Sequence, residues 1–513
     1  MDNKPHYYRR RFFEILPGLL TWTALILPIP FSILYPWIVA IFVIAYDIYW
    51  FFRAIRMVVN IIITYRRIRH DLRIDWHDRL HRHDFPKVNN GVETVANKYS
   101  PDDLYHAIIM VRYKESYDLV RASVKSYIDS KVPKDHLWFI FACEERVGQE
   151  AIETYEKLKG EFGSRFGKFI LTMHPANLPG EIMGKSANET WAAKELQKIL
   201  DKEKKSYDQI ILHNFDADTR TYMHYFDYVA YRYLEQPYNQ PTSFQPVHIY
   251  SNNIWDVPAM MRIVAQSSSM IFMHNMLRPS RFHNFSSRSD VFKNAVDIGF
   301  WRVNAIPEDS GQYYDSYFYY AGRNVVLPMY IPLRMDAVLA EGYWPTIVNQ
   351  YRQLRRWAWG IVDFSYIIEK AIVDKKISWW NKLGKIFRLL EGHFSWATAA
   401  FYITIIGWVP VTFNTDFTAT VLGYNFPTVT RYILTLALVG MLTCIVVNYL
   451  LLPPRPPHRS KWYYFNFLWQ WILSPVVSIF LNAVAAIDAQ TRLMFGKYME
   501  YQVTEKAVGK SRT

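Results

Sequence analysis

The feature that most limits what this chain can fold into lies near its start. From Ile15 to Phe52 the only charged residue is Asp47. That stretch is about twice the ~20 apolar residues that a membrane-crossing helix needs, so it predicts a hairpin of two spans. Pro28, Pro30 and Ser32 stand near its middle, where a chain crossing twice must turn. Arg9, Arg10 and Arg11 precede it and Arg53 and Arg56 follow it, which places both ends on the cytosolic side. A cleaved signal peptide has one short apolar region and a small-residue cleavage site, and this segment matches neither description.

Further spans are expected at Trp396 to Phe413, Tyr432 to Leu452 and about Tyr463 to Ala485. The loop from Asn414 to Thr430 has Asp416 and no Lys or Arg, whereas 453–461 carries Arg455, Arg459 and Lys461. The first therefore faces outside and the second inside. Ser474 and Pro475 interrupt the last stretch, which reads as one kinked span or a re-entrant segment. The formal net charge of +13 is gathered beside these apolar segments, at Arg66, Arg67, Arg69, Arg73, Lys375, Lys376, Lys382, Lys385 and Arg388. Anionic lipid headgroups account for that distribution, and a nucleic-acid partner is not called for. With only Cys143, in an expected strand, and Cys444, in an expected span, there is no disulfide framework, as befits a cytosolic domain.

Between about 100 and 250 the pattern changes. Short apolar runs at Tyr105 to Tyr113, Leu137 to Cys143, Phe169 to Met173 and Gln209 to Phe215 read as strands. Amphipathic stretches at Tyr117 to Asp129, Gly148 to Glu161 and Ala187 to Lys202 read as the helices between them. This βαβ alternation predicts a mostly parallel sheet whose strand ends carry the site. Ile377 to Phe394, with Trp379, Trp380 and Phe387 among lysines, reads as a helix lying on the membrane surface. Residues 57–65, rich in Ile and Val, are expected to do the same.

Three constellations carry chemistry. Asp216 and Asp218 stand one residue apart where an apolar strand ends, hard oxygen donors of the kind that hold Mg²⁺ or Mn²⁺ against a diphosphate. The bland alternative is a solvated turn with a helix-capping aspartate. Glu308 and Asp309 follow an apolar region, and a positioned carboxylate is the natural base for an attacking hydroxyl; the alternative is again a helix cap. Gln353, Arg356 and Trp357 bring a guanidinium suited to a departing diphosphate and an indole suited to a sugar face. An ordinary basic helix near a membrane would look the same.

Taken together, Q-x-x-R-W, D-x-D and E-D in this order between apolar segments resemble the membrane-integrated glycosyltransferases of family 2, which include cellulose, chitin and hyaluronan synthases. The resemblance implies an α/β fold, a GT-A-like (Rossmann-like, mostly parallel) cytosolic domain flanked by transmembrane helices. It implies that Asp218 binds the divalent metal and diphosphate, that Asp216 approaches the donor, and that Asp309 is the base, with Glu308 beside it. Gln353 and Arg356 would hold the donor diphosphate and Trp357 the acceptor. Tyr113 and Glu115 look like the family's Y-x-E beside the nucleobase, and Gly184-Lys185-Ser186-Ala187-Asn188 like its G-K-x-x-N near the donor. For Lys185 a solvated helix-start lysine is the alternative. Glu144 stands where the family's second strand ends in aspartate, and Tyr319 to Arg323 replaces the usual H-x-x-G.

The chain is accordingly divided into a cytosolic N-terminus (1–14), a transmembrane hairpin (15–52), a basic interfacial linker (53–95), a catalytic domain (96–360), interfacial helices (361–394), about three C-terminal spans (395–485) and a tail (486–513). The expected activity is inverting, metal-dependent transfer from a nucleotide-diphospho-sugar to a growing glycan, with translocation through the spans, at the plasma or inner membrane. Transfer of one sugar to a lipid acceptor, as glucosylceramide synthases resemble, and a non-catalytic membrane protein keeping the fold are the alternatives. Donor sugar, linkage, the side of the C-terminus and oligomeric state are not legible in the residues.

Overall fold

The structure, a computed structural model, describes residues 4–89 and 91–500. The last part of the expected tail, 501–513, lies outside them. The described residues form two compact units, one of 4–65, Val257–Asn275 and Glu341–Met499, the other of 66–89, 91–256 and Met276–Ala340.

The second unit is mixed α/β around a seven-stranded sheet. Its strands are β1 (Tyr105–Val111), β2 (Leu137–Glu144), β3 (Lys168–His174), β4 (Ile210–Asp216), β5 (Thr242–Tyr250), β6 (Arg288–Val291) and β7 (Val325–Met335). They run in the order β3-β2-β1-β4-β6-β5-β7. β1 pairs in parallel with β2 and β4, β2 with β3, and β5 with β7; only β6 is antiparallel to its neighbours. The mostly parallel sheet expected from the sequence is the one observed.

Every residue of β2 is buried, as a strand covered on both faces requires. Alternation sorts the side chains: Phe139, Phe141 and Cys143 pack with Leu119, Val124, Tyr155 and Leu158 of helices Tyr117–Ile128 and Gln149–Phe162. Trp138, Ile140 and Ala142 pack on the other face with Ala192, Leu196 and Leu200 of helix Lys185–Glu203. Burying each of these large side chains contributes about 1.5–3 kcal/mol. Helix Tyr117–Ile128 starts where the Ser116 hydroxyl accepts from the Leu119 N–H.

The first unit is helical. Four helices are long and apolar enough to cross a membrane: Tyr7–Leu34, Pro36–Asp71, Val421–Leu450 and Tyr463–Met494. A bent pair, Trp379–Thr404 with Ile406–Phe413 at 44°, would make a fifth. Several boundaries differ from the sequence reading. Pro28 and Pro30 do not make the turn; they sit in the first turn of a short helix, Pro28–Leu34, where missing N–H groups cost little. The break comes at Tyr35, driven from helical geometry by Pro36. The next helix runs on to Asp71, taking in half of the expected linker, including 57–65.

The surface helix expected at Ile377 to Phe394 is continuous with the span after it. Trp380 and Phe387 are exposed, but Lys382 is buried and donates to the carbonyls of Ala371 and Asp374 at 2.9 and 2.6 Å. It serves the end of helix Asp363–Val373 rather than a lipid headgroup. The last of these candidate spans is one kinked helix: after Pro475 the backbone passes through a π-helical stretch, Val477–Ala483, and continues to Met494. Both cysteines are free thiols.

Candidate active site

Parallel strands bring their carboxyl ends to one edge, where loops rather than ladders surround the side chains. β1 leads into Tyr113 and Glu115, β2 ends in Glu144, and β4 in Asp216. The antiparallel β6 adds its beginning to the same edge, because Arg288 pairs with Asn214 of β4. The loop before β6 therefore reaches Asp216: Ser286 Oγ donates to its Oδ2 at 2.7 Å, and its N–H donates to Ser287 Oγ at 3.1 Å.

Lys185 is at the centre of this edge. Gly184, at φ +154° and ψ −167°, adopts a conformation that glycine supplies most readily, and it delivers the lysine at the start of its helix. The lysine is buried, not solvated. Its Nζ lies 2.9 Å from Asp216 Oδ1, 3.0 Å from Glu308 Oε1 and 3.3 Å from Glu189 Oε1, and donates to Ser286 Oγ at 2.5 Å. Burial alone would lower the ammonium's pKa; Asp216, Glu189, Glu308 and Asp309 outweigh it, and the pKa is raised. Glu189, wholly enclosed, is pushed up by desolvation, with Lys185 opposing. Glu308 is also pushed up, first by burial and then by Asp309.

Neither member of the Glu308–Asp309 pair is a helix cap. Helix Glu308–Tyr319 has Pro307 at its N-cap and no side-chain cap bond. The two carboxylates instead go to different cations. Glu308, with 7% of its side chain exposed, holds Lys185; Asp309, 24% exposed, accepts from Arg288 Nη1 at 2.6 Å. Of the two, Asp309 is the one a ligand can reach.

The remaining expected residues are disposed as follows. Asp218 is enclosed, and its Oδ2 accepts the Asp336 N–H at 2.9 Å. That is no solvated turn. Asn188 is also fully enclosed and donates to Ala142 O at 3.0 Å, so it holds the end of β2 and is not presented to a donor. Glu144 is gripped by Arg146 at 2.5 and 3.0 Å, and the Arg146 guanidinium lies 4.2 Å from the Tyr113 ring centre. Glu115 turns back to accept the Tyr113 N–H at 2.8 Å. Gln353, Arg356 and Trp357 stand on helix Tyr343–Ala358, which belongs to the helical unit; Gln353 there accepts from Gln350 at 3.0 Å.

Sequence reasoning missed Arg288, Glu189, Ser286 and Arg146. Glu189 had a signal, four residues after Lys185 on one helix face. Arg288 and Asp290 had a weaker one, alternate positions of a strand only four residues long.

The fit of a divalent ion is mixed. Carboxylate oxygens suit a hard cation, but among the described residues no group of three or more His, Cys, Asp or Glu side chains is arranged to hold one. Asp216 and Asp218 alone are too few for a resident ion.

No family model matches this sequence, and no curated protein does. Among solved structures the chain is similar to the mannosyltransferase PcManGT from Pyrobaculum calidifontis in complex with GDP-Man and Mn²⁺, at 14% identity and a TM-score of 0.41, over 90% of this chain and 99% of that one. It is similar also to S. aureus TarS 1-349 in complex with UDP-GlcNAc, at 10% identity and a TM-score of 0.36, over 77% and 93% of the two chains. Likeness at these scores decides no activity.

Proposed function

We propose that the chain is an inverting membrane glycosyltransferase of the family 2 type, with its α/β unit in the cytosol, moving a sugar from a nucleotide-diphospho-sugar to a glycan or lipid acceptor. The observation that carries the reading is Lys185, whose ammonium joins the strand-end Asp216 to Glu308. It gathers two acidic pairs far apart in sequence into one charged edge, with Asp309 left accessible beside it.

In this reading the acceptor hydroxyl attacks the anomeric carbon as the bond to the diphosphate breaks, and its proton passes to Asp309. One base and no carboxylate nucleophile give inversion. Lys185 and Glu308 set the charge of the edge, while Tyr113, Glu115 and Glu144 border the nucleoside. Gln353, Arg356 and Trp357 keep the roles that the resemblance implies for them. A divalent ion, held by Asp216 and Asp218 together with the donor, would offset the diphosphate charge.

The test is a panel of UDP- and GDP-sugars offered to purified full-length protein in detergent, with and without Mg²⁺ or Mn²⁺. Nucleotide release with at least one donor, lost in excess EDTA, is expected. Release that is complete in EDTA removes the metal from the account, and no release with any donor removes the activity. Product length on a sizing gel separates a growing glycan from a single transfer to lipid.

A further inference from the structure

We propose that Arg288 is a positioning residue for Asp309, a role that rests on reading Asp309 as the base. The side chain of Arg288 is wholly buried, which a guanidinium tolerates only when its donors are matched. Nη1 donates to Asp309 Oδ1 at 2.6 Å and to Phe285 O at 3.3 Å, Nε to Asp290 Oδ2 at 3.3 Å, and Nη2 to Gln312 Oε1. Gln312 is itself fixed, donating to Asp290 Oδ2 at 3.1 Å and accepting from Trp301 Nε1 at 2.9 Å.

This arrangement differs from a surface ion pair. Asp290, Gln312 and Trp301 around the guanidinium and its glutamine are enclosed, whereas the side chain of Asp309 is 24% exposed. Asp290, Gln312 and Phe285 fix the fork, and the fork fixes one oxygen of Asp309, leaving the other for an acceptor hydroxyl. The charged groups facing the pair come from three elements: Glu308 on the same helix, Asp290 on β6, and Lys185 and Glu189 on helix Lys185–Glu203. Arg288 touches no expected donor ligand directly. Its loss therefore reaches turnover through the orientation of Asp309 and leaves donor binding alone.

The experiment is a double-mutant cycle on full-length protein, with turnover and donor KM measured separately. R288K keeps the buried charge opposite Asp290 but cannot hold Asp290, Gln312 and Asp309 at once. Its kcat is expected to fall about tenfold with donor KM within about twofold. D309N alone is expected to lose about 10²-fold or more. R288K combined with D309N should then lose no more than D309N alone, because the residue positioned is already disabled. R288Q, if it folds, should show the same lack of further loss.

Multiplying losses in the double variant, an unchanged kcat in R288K, or a rise in donor KM without a fall in kcat would each overturn the positioning role. Near-normal turnover in D309N would instead overturn the base, a separate failure seen without reference to Arg288.

Discussion

In helix Val421–Leu450 only 11% of the apolar window is buried within the structure, whereas every residue of strand β2 is. Leu436, Leu438, Val439 and Leu442 point outward from the first; Phe139, Ile140 and Phe141 are sealed between helices in the second. The difference teaches which solvent each unit answers to. Outward Leu and Val suit lipid, whose tails are as apolar as they are, and inward Phe and Ile suit water. Both units bury charge, the helical one at Glu14, Arg262 and Lys382 among others; in the α/β unit Lys185, Arg288 and Glu308 lie at one edge of the sheet with partners, as groups withdrawn from water must.

The comparison breaks most visibly at Lys185. Lys185→Met leaves Glu189, Asp216 and Glu308 without the ammonium they share, so turnover should vanish and stability fall by about 3–5 kcal/mol. A thermal-unfolding midpoint equal to that of wild type would show that the cluster is not held by its lysine.

The next effect concerns the helical unit. Leu438→Arg places a charge on an outward face of the Val421–Leu450 helix, costing about 2.5–3.5 kcal/mol for insertion. Ile152→Arg, at a similarly outward position of the α/β unit, should stay within about 0.5 kcal/mol. Carbonate-resistant membrane recovery is the measurement. Equal recovery of the two variants would mean that the helix does not face lipid.

A smaller effect is set by pH. Burial pulls the His248 imidazole down to about 4, against the hydrogen bond with Ser287 O. The folded state stays neutral where the unfolded chain takes up a proton, so this contribution is intact above about pH 6.5 and lost as pH falls toward 4. Between pH 7 and 5.5 wild type should lose about 1 kcal/mol more than His248→Gln. Identical acid profiles would place His248 in contact with water.

What was legible in the sequence follows from locality. β1 to β4 and the helices between them came out within a residue or two, because a strand buried on both faces is a continuous apolar run. β5 and β7 escaped notice because Pro246 sits at a register shift and Pro328 and Pro332 lie in the strand at the sheet's edge. β6 is too short to show a period. At the site, Asp216 and Asp309 were readable as carboxylates near element ends. The burial of Lys185 and the hold of Arg288 on Asp309 were not, since both arise only when β4, β6 and two helices meet.

The central claim is that Asp309 takes the acceptor proton, and it is tested most directly by separating turnover from nucleotide binding in two variants. Asp309→Asn keeps the shape of the side chain but cannot accept that proton. Its turnover should fall about 10²-fold or more while UDP or GDP titrates as in wild type. Arg356→Ala should lose nucleotide binding together with rate, because its proposed target is the leaving diphosphate. If Asp309→Asn binds nucleotide as poorly as Arg356→Ala, or turns over at a near-normal rate, Asp309 is not the base and the account is contradicted.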